Sequence, residues 1–289
     1  MEIERTQRVY DDEVHHHDRG LSFDMLTLMS RRRVLQLAAL GGLTTLVGCG
    51  SSSGDTSEST AATASTAAAT TTAATTAAGS GDVGAIPEET GGPYPADGSN
   101  GPNVLTQSGI VRKDITTSFG SLSGTAAGVP LNIDLTILDV STGGSPLAGA
   151  AVYLWHCDRE GRYSLYSQGV TDQNYLRGVQ VSGADGKLTF ASIFPAAYSG
   201  RWPHIHFEVY SSLDTATSAG SKLVTSQIAL PEDLCNSVFA TEGYEQSVQN
   251  LAGTSLQTDN VFSDGFSTQM ATASGSLAQG LTIALNVGV

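Results

Sequence analysis

Short runs that alternate apolar and polar residues, or that are rich in β-branched residues, dominate the chain after residue 86. Alternation places every second side chain on one face of a strand, so each run predicts a β-strand rather than a helix. The predicted strands cover residues 131–140, 149–158, 178–183, 187–194, 204–210, 222–230 and 280–289. Turn-forming residues separate them, and "GADGK" at 183–187 predicts a hairpin turn.

The order of these elements predicts the fold class. Short strands without regular intervening helices favour an all-β fold, an antiparallel β-sandwich of about eight strands with long loops. Residues 231–275 show no clear alternation, and a short helix is predicted there near 242–251. We therefore expect one sandwich domain over residues 86–289.

Residues 1–49 have the pattern of an export signal. Arg31 and Arg32 precede a short apolar run that ends in Leu-Val-Gly-Cys at 46–49. Paired arginines before such a run resemble a twin-arginine signal, and the last four residues resemble a lipobox, in which Cys49 is acylated. The run is too short for a comfortable membrane span. A core helix followed by an unrelated cysteine is the alternative.

Residues 50–85 predict a flexible tether between the signal and the sandwich. Serine, threonine, alanine and glycine dominate this segment, which therefore buries too little apolar surface to offset the entropy lost on ordering. A lipid at Cys49 and this spacer would anchor the domain to a membrane without spanning it. The predicted location is the cell envelope or the extracellular space.

The charge of the chain bears on its partners. The 289 residues carry a formal net charge of −14, with only 14 lysines and arginines. Binding the phosphate backbone requires a basic face, so we expect no nucleic-acid partner. The sequence does not set the oligomeric state, and a monomer is compatible with it.

Two cysteines, Cys157 and Cys235, remain in the predicted domain. In an oxidising compartment, two such residues often form a disulfide. Two buried free thiols are the alternative, because the sequence does not give the distance between them.

The candidate chemistry begins in "HIHFEVY" at 204–210. Side chains at positions i and i+2 of a strand share a face, so His204 and His206 project together, while Ile205 and Phe207 pack on the opposite side. Alone, such a pair indicates a metal site only weakly. A surface pair or two hydrogen-bonded core histidines would give the same pattern.

Two tyrosines strengthen the metal interpretation. Tyr163 lies in the loop after the strand at 149–158, and Tyr198 precedes His204 closely enough for a loop to fold back onto that strand. Phenolate is a hard anionic donor that suits Fe(III), and imidazoles can complete the ligand set. Zinc is more usually held by cysteine, histidine and carboxylate. Aromatic packing at the edge of a sandwich is the alternative.

Longer motifs around these residues resemble one family, the intradiol ring-cleavage dioxygenases, and in particular its exported, protocatechuate-dioxygenase-like branch. The motifs are G-x-Y at 161–163, R-G-x-Q at 177–180, P-x-x-Y at 195–198 and R-x-x-H-x-H at 201–206. The resemblance spans roughly residues 87–289 and is densest between 147 and 230.

The resemblance implies a mononuclear, non-haem Fe(III) cofactor and assigns roles to individual residues. The implied metal ligands are Tyr163, Tyr198, His204 and His206. Tyr198 would also accept a substrate proton, Arg201 would stabilise charge that develops on the ring, and Gln227 would orient Arg201 or the oxygen. Tyr94, within "GGPYP" at 91–95, would line the mouth of the pocket.

The implied reaction is the cleavage of a small catechol-type diol by O2 between its two hydroxyl-bearing carbons, which gives a cis,cis-muconate-type product. Gly91 stands where the family often has glutamate, a departure that concerns the pocket rather than the ligands. A lipid-anchored β-sandwich binding module for aromatic or glycan ligands, with a non-catalytic metal site, is the alternative function. A zinc hydrolase is a third possibility, weakened by the lack of a further ligand at motif spacing. The sequence does not identify the diol.

Overall fold

Nine strands and three short helices form the part of the chain that the computed structural model describes, residues 83–218 and 220–289. The predicted signal at 1–49 and most of the predicted tether at 50–85 lie outside the described residues. The last tether residues are described, and Ala85 forms a parallel bridge with Gly288. Among the described helices, none has the length and apolar character needed to cross a membrane.

The strands lie close to the predicted positions. They are β1 (Pro130–Asp139), β2 (Ser145–Pro146), β3 (Ala151–Trp155), β4 (Arg177–Val181), β5 (Lys187–Ile193), β6 (His204–Tyr210), β7 (Lys222–Ala229), β8 (Thr272–Ser276) and β9 (Gly280–Gly288). The helices are α1 (Leu213–Thr217), α2 (Glu232–Phe239) and α3 (Glu245–Ala252). Helix α3 corresponds to the one predicted near 242–251, whereas α1, α2 and the short strands β2 and β8 were not predicted.

The strands form two sheets. One has the order β2-β1-β9-β8, with β5 also paired to β1, and the other has the order β4-β3-β6-β7. The predicted all-β sandwich is confirmed. One pair departs from the expected antiparallel pattern, because β1 and β9 run parallel. Alternation identifies a strand and its buried face, but it does not specify the direction of the neighbouring strand.

The main hydrophobic core lies between the two sheets. In β1 the inward side chains are every second residue, and β9 follows the same rule. The opposite sheet contributes Ile205, Phe207 and Val209 of β6. Burial of each such side chain stabilises the fold by about 1.5–3 kcal/mol, so the register of β6 is strongly fixed.

A second hydrophobic cluster covers the outer face of the four-stranded sheet. Leu105, Ile110 and Phe119, from the loops that precede β1, pack in the same cluster as Tyr153 and Trp155 of β3. This layer explains why every residue of β3 and β6 is buried. The side chains of β6 that face away from the main core are therefore enclosed by loops rather than exposed to solvent.

The disulfide considered for Cys157 and Cys235 is absent, because both are free and buried. Cys157 belongs to the outer cluster, where its thiol lies 3.7 Å from the Ala196 carbonyl oxygen. Cys235 lies on α2 and packs into the main core. The disulfide prediction was wrong because the two thiols belong to different packing layers.

Candidate metal centre

Strand β6 carries the two histidines on the face that points away from the main core. Because Ile205 and Phe207 fill that core, the pleat directs His204 and His206 towards the enclosing loops. Both imidazoles are buried, with 3% and 2% of their surfaces exposed. The local fold therefore results from ordinary strand alternation, and burial removes both rings from water.

Four donor atoms from three segments converge beside this strand. The Tyr163 Oη lies 3.3 Å from the Tyr198 Oη, which lies 3.0 Å from the His204 Nε2. The Nε2 atoms of His204 and His206 are 3.1 Å apart. Bonds of about 2.0–2.1 Å to one metal ion place neighbouring donors roughly 3 Å apart, so this spacing fits a shared ion.

The surroundings of each imidazole fix its orientation. The His204 Nδ1 lies 2.6 Å from the Trp202 carbonyl oxygen, which can only accept a hydrogen bond. His204 therefore donates from Nδ1, which leaves Nε2 with a lone pair for a metal. The His206 ring stacks on Trp155, with ring centroids 5.0 Å apart and planes 6° from parallel.

A tight loop after β3 positions Tyr163. The Asp158 carboxylate accepts hydrogen bonds from the backbone N–H groups of Glu160 and Arg162, and it forms an ion pair with Arg162 at 2.8 Å. The Tyr163 N–H donates to the Ser167 hydroxyl at 2.9 Å. These contacts fix the backbone on both sides of Tyr163, and this backbone determines where the buried phenol lies.

The guanidinium of Arg177 connects this loop to the pocket-lining segment before β1. It donates to the hydroxyl and the carbonyl oxygen of Ser164, and also to the Pro95 carbonyl oxygen and the Tyr153 hydroxyl. Arg177 is fully buried. Its bonds fix the residue that follows Tyr163 relative to the second cluster.

Helix α3 supports the loop that carries Tyr198. The N–H group of Ala197 donates to the Ser247 hydroxyl at 3.1 Å, and the Ala197 carbonyl oxygen accepts from the Asn250 amide at 2.8 Å. Both polar groups of the residue before Tyr198 are thus bound to one helix. Tyr198 itself remains partly exposed, whereas Tyr163 is buried.

The protein environment disfavours the charged forms of three donors, Tyr163, His204 and His206. Burial raises the pKa of Tyr163 well above its ordinary value, and the neighbouring Tyr198 adds to the rise. Burial lowers the pKa of His204 well below its ordinary value, and Arg201 adds to the effect. The pKa of His206 falls for similar reasons, with His204 as a neighbour. A bound cation would stabilise phenolates here, and two phenols with two neutral imidazoles suit a hard trivalent ion.

Arg201 lies beside the donors in a buried network. Its Nη2 donates to the Gln227 side-chain oxygen at 2.6 Å. The family resemblance implied that Gln227 would orient Arg201 or the oxygen, and this contact suits the first of these roles. Its Nε donates to an Asp259 carboxylate oxygen at 3.0 Å. The Gln227 amide in turn donates to the Thr90 carbonyl oxygen at 2.9 Å. The network links β7, the loop before β6 and the segment that contains Gly92.

Comparisons with known proteins agree with these features. A protein-family model described as "Dioxygenase" matches residues 100–235. An intradiol ring-cleavage dioxygenase structure from Tetranychus urticae is 26% identical, with a TM-score of 0.53, over 63% of this chain and 87% of that one. The chain is thus similar to the intradiol ring-cleavage dioxygenases in sequence and in fold. The family match includes all four donor residues, together with Arg201 and Gln227.

Curated intradiol dioxygenases match over shorter segments. A chlorocatechol 1,2-dioxygenase of Rhodococcus opacus is 42% identical over 57 residues, which cover 20% of this chain and 22% of that protein. A hydroxyquinol 1,2-dioxygenase of Rhizobium sp. (strain MTP-10005) is 40% identical over 62 residues, 22% of this chain and 20% of that protein. The chain therefore matches about a fifth of the length of these relatives.

A pocket of about 430 Å³ opens beside the candidate donors. Tyr163, Tyr198, His206 and Arg201 line its floor, and Tyr94 lines it as well. The Tyr94 ring packs against Tyr163 with centroids 5.0 Å apart. Three of the four donors and Arg201 thus line one cavity, and the Nε2 atom of the fourth donor, His204, lies 3.1 Å from the Nε2 atom of His206.

The sequence did not reveal two residues of this site. Arg177 belongs to the R-G-x-Q motif, but nothing in the motif showed that its guanidinium would join two loops. Asp259 lies 58 residues after Arg201 in a segment without strand or helix periodicity. It also lies outside the family match at 100–235. Only the folded chain shows that this carboxylate contacts Arg201.

Proposed function

We propose that the protein is a non-haem Fe(III) dioxygenase that opens the ring of catechol-type diols between their hydroxyl-bearing carbons. Both atoms of O2 enter the product, a cis,cis-muconate-type dicarboxylate. The observation that carries this proposal is the convergence of two phenols and two imidazoles beside one pocket. Similarity to the intradiol dioxygenases supports the reaction class, and the choice of diol is left to experiment.

The metal and its ligands have separate roles in this proposal. Tyr163, Tyr198, His204 and His206 would hold the ferric ion, which when bound acts as a Lewis acid for both oxygens of the diol and prepares the ring for O2. No third histidine, cysteine or carboxylate joins the two histidines in a metal-binding group among the described residues. The tyrosines complete the set instead, which favours iron over a zinc hydrolase.

The protein groups would move a proton and stabilise charge. Tyr198 is the more accessible of the two tyrosines, so its Oη, which a bound ferric ion would hold as a phenolate, is suited to accept a proton from a hydroxyl of the entering diol. The Arg201 guanidinium lines the same pocket and would stabilise negative charge that develops on the ring. Gln227 fixes the guanidinium by accepting its hydrogen bond.

Colour and oxygen consumption test the proposal together. We expect the iron-loaded protein to absorb visible light through tyrosinate-to-iron charge transfer and to consume O2 with at least one of a panel of catechols and hydroxyquinols. Tyr163→Phe and His204→Ala should weaken or abolish the band and lower turnover by about 10²–10⁴-fold. Tyr175→Phe is the matched control, because that phenol lies outside the pocket and contacts Asp158 only at 3.4 Å.

Two outcomes would contradict the proposal. One is a folded protein that remains colourless and iron-free after iron loading, which would favour the lipid-anchored binding module. The other is unchanged ring opening in Tyr163→Phe or His204→Ala, which would refute the ligand assignment.

We also propose that the protein is exported and anchored through a lipid at Cys49. The arginine pair, the short apolar run and the sequence at 46–49 support this location. Expression in a bacterium with a lipoprotein-processing pathway should give a membrane-associated protein whose mature amino terminus is acylated Cys49. Cys49→Ser should stay unacylated and unprocessed. Mass spectrometry that finds residues 1–48 still attached in the wild type would refute the anchor.

A further inference from the structure

The Asp259 carboxylate accepts four hydrogen bonds in a fully buried position. One oxygen accepts from the Arg201 Nε at 3.0 Å and from the Trp202 N–H at 2.7 Å. The other oxygen accepts from the N–H groups of Val261 and Phe262 at 2.8 and 3.2 Å. Asp259 and Arg201 have 0% and 1% of their surfaces exposed. The ion pair is thus inaccessible to solvent and held on both sides.

We infer that Asp259 is a positioning residue that fixes the Arg201 guanidinium against the pocket, and that turnover depends on it through Arg201. The inference rests on the proposed function, because it concerns the charge that Arg201 would stabilise. A buried guanidinium needs a partner of opposite charge, since burial of an unpaired charge is strongly destabilising. Asp259 forms an ion pair with it at 3.0 Å.

The two neighbours of Arg201 contribute differently. Gln227 is neutral and accepts from Nη2, so it defines a direction without compensating the charge. Asp259 supplies the charge at Nε, and it also holds the backbone of the next residue, Trp202. Two contacts at separate nitrogens prevent the planar guanidinium from rotating about its long axis. A fixed cation stabilises a transition state better than a mobile one, because it needs no reorganisation during the reaction.

Asparagine is the sharpest substitution at this position. It has the shape of aspartate, but only one of its two terminal atoms is an acceptor. In one orientation its NH2 group faces the Arg201 Nε and the Trp202 N–H, and in the other it faces the N–H groups of Val261 and Phe262. Either orientation loses two of the four hydrogen bonds and the charge.

The experiment compares four variants of the iron-loaded, full-length protein: Asp259→Asn, Arg201→Met, the double variant and Asp264→Asn. Asp264 is the control because it lies on the adjacent turn and is exposed. Measured quantities are kcat and KM for a cleaved catechol, iron per chain, the visible spectrum, and the urea midpoint of metal-free protein. The spectrum and the metal-free midpoint report on the ligands and the fold without relying on turnover.

We expect Asp259→Asn to retain its iron and its visible band, to lower the urea midpoint, and to reduce kcat by about 10–100-fold with KM within threefold. Arg201→Met should reduce kcat by about 10²–10³-fold. The double variant should match Arg201→Met within threefold, because Asp259 acts through the group already removed. Asp264→Asn should match the wild type in kcat, KM, iron per chain and visible spectrum.

Equal kcat in Asp259→Asn and the control would overturn the inference, as would losses that multiply in the double variant. If Asp259→Asn does not fold, a folded double variant supports the inference, because the unfolding then arises from Arg201 in the absence of the Asp259 carboxylate. An unfolded double variant overturns it, since Asp259 would then serve only the turn at 261–262. A wild type without a visible band or ring opening refutes the proposed function instead, so the two failures are distinguishable.

Discussion

Gly92 shows how closely the segment before β1 approaches the metal donors. Its backbone has φ of +68°, in the left-handed region where only glycine is unstrained. A Cβ atom at this position would lie 3.3 Å from the Cε1 and 3.8 Å from the Nε2 of His206. The residue therefore meets two demands, a backbone conformation and a close contact with one candidate ligand.

Comparison with Gly120 separates these two demands. Gly120 has nearly the same φ, +70°, but a Cβ there would meet nothing within 4 Å. We expect Gly92→Ala and Gly120→Ala each to lower the free energy of unfolding by about 1–2 kcal/mol through backbone strain. Only Gly92→Ala should also reduce iron per chain and shift the visible band, because the His206 ring must move. Urea unfolding and iron analysis provide the test, and identical iron content and spectra in both variants would contradict it.

At the scale of elements, β6 serves two layers at once. Its apolar side chains are fixed in the main core, and this register determines where His204 and His206 project. The tyrosines come from loops, which need separate support: Arg177 for the loop of Tyr163, and α3 for the loop of Tyr198. A rigid strand thus supplies two donors, and braced loops supply the other two.

The same division explains what the sequence could predict. Alternation in β6 and β9 gave the strands and their buried faces, since a core imposes that pattern directly. Strand β8 has the sequence "TASGS", and all of its residues are exposed. Because it contributes no side chain to the core, its sequence shows no alternation of apolar and polar residues. The parallel pairing of β1 with β9 depends on the path of the chain between them, which composition does not encode.

The site was predictable to a similar extent. The family resemblance implied the four candidate donors, and the structure brings their donor atoms together. Asp259 was unpredictable because its role arises from one long-range contact between irregular segments. The separation of Cys157 from Cys235 likewise depends on which layer each element joins.

At the scale of the whole molecule, an acidic chain buries several of its carboxylates. Asp259 is paired with Arg201, and Glu208 is paired with Lys222 at 2.7 Å. Glu89 is also buried, and two further acidic groups lie in its surroundings. The stability of the fold should therefore depend on pH above the range in which carboxylates ordinarily titrate.

Glu89 provides the clearest case. Burial is the main cause that raises its pKa from about 4.5 to about 7. The negative charges of Asp264 and Asp259 also raise this pKa, and Asp264 has the larger effect of the two. Arg201 and a hydrogen bond from Gln269 oppose the rise. Between these two pKa values the unfolded chain has released the proton while the folded chain retains it. The contribution of Glu89 to stability is thus full below about pH 4.5 and is lost as pH rises towards 7.

Glu89→Gln removes this dependence because an amide does not titrate. The difference in the free energy of unfolding, variant minus wild type, should therefore increase between pH 5 and pH 8. The increase should reach up to about 3 kcal/mol, because one unit of pKa shift corresponds to roughly 1.4 kcal/mol. Glu88→Gln is the matched control, since the neighbouring carboxylate is exposed and makes the same change in charge. Urea unfolding at several pH values measures the difference. Two outcomes would contradict this prediction: the difference in stability between Glu89→Gln and the wild type does not vary with pH, or Glu88→Gln shows the same variation. Either outcome would show that burial of Glu89 does not govern the pH dependence of this fold.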